Sequence, residues 1–477
     1  MARLGRSPAF FASVGLFLIF LALLSGHLYS IDGLQYFRVA ERMVFDRSLV
    51  FDPPLYWGGP IVSPITPIGF SLVQMPAVLL AGLAHPLQPA LTTAPYDSAL
   101  LYGDPVYTLA SWVNPLIVAM TGALTVRISE LIGAGRRAAL AVGIATVLGS
   151  PLVFYARADF AQPLSTLLLL GVVALLISAL QRRNVRPGLM AGTVALALLA
   201  RPVDGALIAL AAFVVICLPI GDWRPLRDGR RLGGEILGGA LVGLAVTLAV
   251  NFVRFGSPFV SGYQAAFDGA LLVGLIFELG SPGRGLLWYF PVAVLAPIGA
   301  WVLWHRGVRH ETVALLLPVL IYLPLYAEWP FNGWSYGPRY LVPLIPLLGL
   351  LAGSVVWSHR RHAPVLLFGM LATAGGLANV GHLGVDQLAF WGTYGASDYG
   401  TPGFRLQFDI GAFSPFGSWQ MYDPVAGPDI MWLRLAGSTH GASIVVFVLL
   451  LLLGILALVR AWILAGQKPE TSRARGS

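Results

Sequence analysis

Apolar residues run through this chain in long blocks almost free of charge, and polar residues collect between the blocks in short clusters. The blocks cover residues 9–26, 61–84, 106–126, 138–155, 163–180, 187–200, 204–220, 234–254, 285–304, 312–328, 339–357, 364–383 and 441–465. Most approach the roughly 20 residues that a helix needs to cross a hydrocarbon core of about 30 Å. The pattern therefore predicts an all-α polytopic membrane protein with about 12 transmembrane helices (11–13). The block 61–84 stands apart, because Pro60, Pro64, Pro67 and Pro76 weaken a continuous helix. It reads as an interfacial or re-entrant segment, which implies a protein wall or a cavity around it. The first block, Phe10–Gly26, is longer than the apolar core of a secretory signal, and no small-x-small site precedes Tyr29, so it reads as a retained helix.

One segment has a different period. From Asp32 onward Leu34, Phe37, Val39, Ala40, Met43 and Val44 recur at helical spacing with Arg38, Glu41 and Arg42 between them. That spacing predicts an amphipathic helix along the membrane interface. Asp32 stands at its start, where a carboxylate serves either as an N-cap or as a base kept ionised by the helix end.

Composition agrees with the pattern. Charged residues make up 11% of the chain against about 25% in soluble domains, hydrophobic residues make up 57%, and mean hydropathy is +0.77. The net charge of +8 is almost wholly arginine, Lys468 being the single lysine. These arginines sit in short connections at 127–137, 182–186, 224–231, 306–309 and 360–361, which marks cytoplasmic loops rather than a nucleic-acid surface. Both termini then face the cytoplasm, in a cytoplasmic (inner or plasma) membrane. The larger polar segments, 27–105 and 384–440 among them, face outward. Cys217 is the lone cysteine, so the chain contains no internal disulfide and no cysteine-based metal site. No P-loop, HExxH or GxSxG motif occurs. Residues 1–350 read as the chemistry-bearing module, and 351–477 as C-terminal helices with the outer segment 384–440.

Candidate chemistry gathers at the outer ends of the blocks. Glu328 and Arg339 flank an aromatic turn, EWPFNGWSYGPRY, with Trp329, Trp334, Tyr336 and Tyr340 as a belt or as part of a site. Arg339 is placed to grip a phosphate through its planar fork, or to snorkel. Arg284 lies between glycines in GSPGRG, and Arg201, Arg157 and Asp159 lie in short turns.

The ordered set resembles the bacterial membrane glycosyltransferases of the GT-C superfamily, which include protein-O-mannosyltransferase-like enzymes and the aminoarabinose transferases of lipid A. The likeness runs from Asp32 after the first helix through GGPIVSPITP, Ser150–Asp159, Leu198–Pro202, Asn251–Tyr263, Ser281–Pro291 and Gly333–Leu348. The resemblance implies transfer of a sugar from a polyprenyl-phosphate carrier to a lipid, glycan or protein acceptor on the outer face. It implies Asp32 as general base, Asp159 as a second acidic site residue, and Arg339 with Arg284 or Arg201 on the carrier phosphate. Glu328 and Tyr336 are further candidate substrate contacts. Gly33 stands where many members carry a second carboxylate, which leaves a divalent metal open, and SPITP replaces the PPL-type motif, which counts against aminoarabinose. Two other classes fit the same sequence: a flippase or transporter of lipid-linked sugars, and a surface-polysaccharide polymerase or ligase.

Overall fold

Each helix near the candidate site starts where a side chain or a proline allows it to. Helix α1 (Pro8–Ala22) opens on Ser7, whose hydroxyl accepts the Phe10 amide at 3.4 Å. Helix α2 (Ile31–Glu41) opens on Ser30, whose hydroxyl accepts the Gly33 amide at 3.0 Å. Ser30 is thus the cap, and Asp32, one turn position later, keeps its carboxylate for other work. The computed structural model describes residues 7–467 apart from 52–54, 57–59, 85–104, 182, 219–228, 263–268, 330–335, 359–361, 387–407, 411–414 and 426. Arg3/Arg6, Arg224/Arg227, Arg360/Arg361, Trp334, the C-terminal basic cluster and much of 384–440 lie outside the described residues.

A π-helical turn (Arg42–Asp46) and a two-residue antiparallel ribbon, β1 (Leu55–Tyr56) with β2 (Pro60–Ile61), lead to α3 (Ile68–Ala84). Helix α3 begins directly after Pro67, so the first three prolines of the Pro-rich run fall in its non-helical approach and only Pro76 lies inside it. Then come α4 (Pro105–Ser111), α5 (Val113–Leu131), α6 (Arg136–Leu148), the short α7 (Leu152–Tyr155), α8 (Gln162–Leu180), α9 (Leu189–Ala200), α10 (Pro202–Cys217) and α11 (Gly229–Phe255). Helices α12 (Leu271–Gly280), α13 (Leu286–Tyr289), α14 (Ala296–His305), α15 (Arg309–Ala327), α16 (Ile345–Ser358) and α17 (His362–Val380) follow. The described chain ends with α18 (Pro415–Gln420), α19 (Met431–Arg434) and α20 (Ala442–Gly466).

Apart from that two-residue ribbon, the described residues form a helical architecture, as the periodicity predicts. Among the described residues seven helical segments are long and apolar enough to cross a membrane: Val106–Leu131, Gln162–Leu180, Gly229–Phe255, Arg309–Ala327, Arg339–Trp357, His362–Gly384 and Ala442–Gly466. Shorter apolar helices, among them α1, α9 and α10, pack between them. Small residues let backbones meet: a Cβ at Gly15 of α1 would stand 2.8 Å from the Gly454 carbonyl of α20. Outside faces stay apolar, as Leu241, Val242 and Phe252 on α11 and Leu449, Leu452 and Leu456 on α20 show. Such surface suits lipid rather than water.

One expectation changes. Helix α2 does not float on the interface with a charged outer face; α3 packs along it and nearly all of it is buried. Arg38 and Glu41, the polar face in sequence, are themselves buried and neutralise each other in an ion pair.

The basic-loop orientation is testable at exposed positions. In a Cys217→Ala background, cysteine at Ser438 reacts with an impermeant thiol reagent on intact cells, whereas cysteine at the exposed Asn184 does not. Labelling at Asn184 from outside reverses the orientation.

Candidate active site

A cavity of about 230 Å3 opens where the ends of α2, α8, α10, α11 and α15 converge on the 3-10 turn Arg339–Leu344. Three guanidinium groups reach it, from Arg201, Arg254 and Arg339, beside Tyr36, Gln162, Asn251, Tyr326 and Tyr340. No Asp or Glu is among the described lining residues.

Two of the three cations are matched just behind the wall. Arg339 forms an ion pair with Asp32, both side chains being mostly buried. Its guanidinium also lies 4.7 Å from the Phe160 ring centroid. Arg201, in the extended junction between α9 and α10, meets Asp204 at 2.7 Å and covers the Tyr340 ring at 5.5 Å. Asp204 has no exposure and also accepts the Tyr326 hydroxyl. Arg254, at the last turn of α11, is 7% exposed and donates through Nη1 to the carbonyls of Thr66 (2.6 Å) and Pro64 (3.3 Å). Its Nε and Nη2 have no hydrogen-bond partner, and it has no carboxylate partner, among the described residues.

Asp159 lies on the other side of Asp32. Its carboxylate accepts the Tyr29 amide at 2.7 Å and the Tyr107 hydroxyl at 2.5 Å. A side chain at residue 33 would collide with its Cβ and carboxylate, so Gly33 is what allows Asp159 to sit against the first turn of α2. Burial raises the Asp159 carboxyl to about 6, the two hydrogen bonds notwithstanding.

Arg157, two residues before, does not pair with Asp159. It reaches Asp429 at 2.8 Å, and Asp429 also holds His27 (2.9 Å), the Tyr29 hydroxyl (2.5 Å) and Arg434 (3.2 Å). Burial would raise the Asp429 carboxyl, but His27 and Arg157 outweigh it and hold it far below the carboxylate range. Burial would lower His27, and Asp429 more than offsets that.

Of the sequence candidates, Arg201 and Arg339 line the cavity, Asp32 stands behind its wall in the ion pair with Arg339, and Asp159 packs against Gly33 of α2 without lining the cavity. Arg284, Tyr336 and Glu328 are not among the residues lining it. Arg284 is buried in the turn after α12, where burial lowers it and the buried Glu278 counters that effect. Tyr336 stacks on Phe154 at 4.6 Å behind the site, and Glu328 ends α15, its carbonyl taking the Gly269 amide at 3.0 Å. No group of three His, Cys, Asp or Glu placed to hold a metal ion occurs among the described residues. Local pattern missed Arg254 and Gln162, whose one signal is a polar residue within or at the end of an apolar block. It also missed Asp429, which lies in the segment 384–440 without a motif.

The desolvated Asp159 carries a pH signature. Its folded-state value of about 6 exceeds the unfolded value of about 3.9. The folded form therefore binds the proton more tightly, and this group's contribution falls as pH rises from about 4 to 6. The thermal midpoint of Asp159→Asn, which cannot titrate, is expected to gain on wild type between pH 4 and 7. A constant difference across that range contradicts the desolvated carboxyl.

No protein-family model and no curated protein matches the chain. Among solved structures it is similar to ArnT from Cupriavidus metallidurans, both in the apo state and bound to undecaprenyl phosphate. Each is 17% identical over 95% of this chain and 76% of that one, with TM-scores of 0.47 and 0.46. It is also similar to the Archaeoglobus fulgidus oligosaccharyltransferase in complex with Zn and sulfate, at 14% identity over 85% of this chain and 57% of that one, with a TM-score of 0.43.

Proposed function

We propose that this chain is a membrane glycosyltransferase that moves a sugar from a polyprenyl-phosphate carrier to an acceptor hydroxyl, at the outer face of the cytoplasmic membrane. The observation that carries the reading is the charge balance of the cavity. Three guanidinium groups face it and two carboxylates offset them from behind, which leaves Arg254 without a carboxylate partner and its Nε and Nη2 without hydrogen-bond partners among the described residues. An uncompensated buried cation is costly, and a singly charged phosphodiester in the cavity would complete it. A carrier phosphate joined to a sugar is such a phosphodiester.

The chemistry follows from this placement. The acceptor oxygen attacks the anomeric carbon, the bond from that carbon to the phosphate oxygen breaks, and the electron pair leaves with the phosphate. Arg254, Arg201 and Arg339 stabilise the charge that gathers there. Asp32 takes the acceptor's proton. Its ion pair with Arg339 holds the carboxylate in place before the acceptor binds, and Arg339 is free to follow the growing charge on the phosphate. Asp159 shapes the first turn of α2 from behind. The paired arginines and the position of the site at helix ends count against transport, which gathers ionisable groups near the bilayer midplane.

Substitutions separate the roles. Asp32→Asn leaves the Ser30 cap untouched, so the protein should fold, but turnover of a polyprenyl-phosphate sugar is expected to drop at least about 100-fold with the loss of general-base help. Arg254→Gln should weaken binding of the bare polyprenyl phosphate with little change in thermal midpoint. Near-normal turnover by Asp32→Asn would move the base elsewhere, and unchanged phosphate binding by Arg254→Gln would remove the argument from charge.

A further inference from the structure

Gln162 is the first residue of α8, directly after the turn that carries Asp159. It lines the cavity and is 1% exposed, yet its carboxamide oxygen and its carboxamide nitrogen both have no hydrogen-bond partner among the described residues. Leaving a buried donor or acceptor unmade costs about 1–3 kcal/mol for each group. A carboxamide presents an acceptor and donors side by side in one plane. Two adjacent hydroxyl groups of a sugar offer the complement, one donating and one accepting. The surroundings agree with a small hydroxylated ring. Tyr36 and Tyr340 supply aromatic faces, and about 230 Å3 is below the roughly 300–1,000 Å3 of a pocket for a drug-sized ligand.

Charge narrows the class further. Asp32 and Asp204 already hold arginines, and the described lining residues include no carboxylate that could receive an ammonium group. We infer that Gln162 is the specificity-determining residue for the glycosyl group of the donor, and that this group is a neutral, hydroxylated sugar rather than an amino sugar. The inference rests on the carrier-dependent glycosyltransferase reading above.

Binding separates the two. Wild-type protein in nanodiscs is titrated with bare polyprenyl phosphate, with a panel of neutral hexosyl and pentosyl polyprenyl phosphates, and with an aminopentosyl one. The best neutral glycosyl carrier is expected to bind about 10–100-fold tighter than the bare phosphate, as two hydrogen bonds provide. Gln162→Leu should lose that increment while its affinity for the bare phosphate stays at the wild-type value. Gln162→Glu keeps the shape and the acceptor but not the donor, so it should keep only part of the increment; it decides the matter if the leucine variant does not fold. An increment that survives in both variants, no increment in the wild type, or an amino sugar that binds tightest overturns the role of Gln162 and leaves the carrier reading standing. Failure of the wild type to bind even the bare phosphate overturns the carrier reading, and the inference falls with it.

Discussion

A carboxylate with no exposure to water stays ionised only if cations and hydroxyls close around it, and Asp429 is where that constraint organises the site end of the bundle. Its two oxygens gather His27, Tyr29, Arg157 and Arg434, residues drawn from the connector between α1 and α2, the turn before α8 and the segment before α20. Removing one partner from such a cluster leaves buried charge uncompensated, at a cost of about 3–5 kcal/mol. The cluster therefore fixes the connector 27–30, and that connector sets everything nearer the cavity. The Tyr29 hydroxyl goes to Asp429 while its amide goes to Asp159, and the next residue, Ser30, caps the helix that carries Asp32. The order of dependence runs from a distant segment through one tyrosine to the helix that carries Asp32.

The same electrostatic rule explains why the arginines differ in role although they look alike in sequence. Arg157 and Arg284 are each balanced by a buried carboxylate, Asp429 and Glu278, away from the cavity, and they hold structure together. Arg201 and Arg339 are balanced at the cavity wall, where an incoming anion can compete for them. Among the described residues the Arg254 guanidinium has only backbone carbonyls as partners, which satisfy hydrogen bonds but do not cancel charge. A gradation from fully matched to unmatched cations points toward the cavity, and the proposed anion site rests on this gradation rather than on the number of arginines.

Much of this was legible in the sequence because it is local. Charge-free blocks give the helices, prolines mark where α3 can begin, and the residues that carry the family resemblance include Asp32, Arg201 and Arg339. What stayed hidden depends on pairing between distant positions. Arg157 and Asp159 are two residues apart and invite pairing on paper, yet their side chains diverge to Asp429 and to Tyr107. The polar face of α2 reads as solvated because a sequence cannot show that Arg38 and Glu41 neutralise each other beneath α3. Asp32 reads as a cap because Ser30 and Asp32 are equally plausible cap residues, and only the backbone geometry decides for Ser30.

Gly33 joins these threads. In sequence it stands where many members of the resembled family carry a second carboxylate, and its absence looks like a lost function. In space the missing side chain is the condition for Asp159 to approach, since any Cβ at 33 would occupy the place of the Asp159 side chain. Two carboxylates therefore flank the first turn of α2, but from different segments and in different surroundings. Asp32 pairs with Arg339. Asp159 faces an amide and a phenol in a dry setting, which pushes it up to about 6. The two carboxylates therefore sit in unlike surroundings, one beside a guanidinium and the other among neutral donors. A contiguous pair on one helix turn would share its environment and lack that separation.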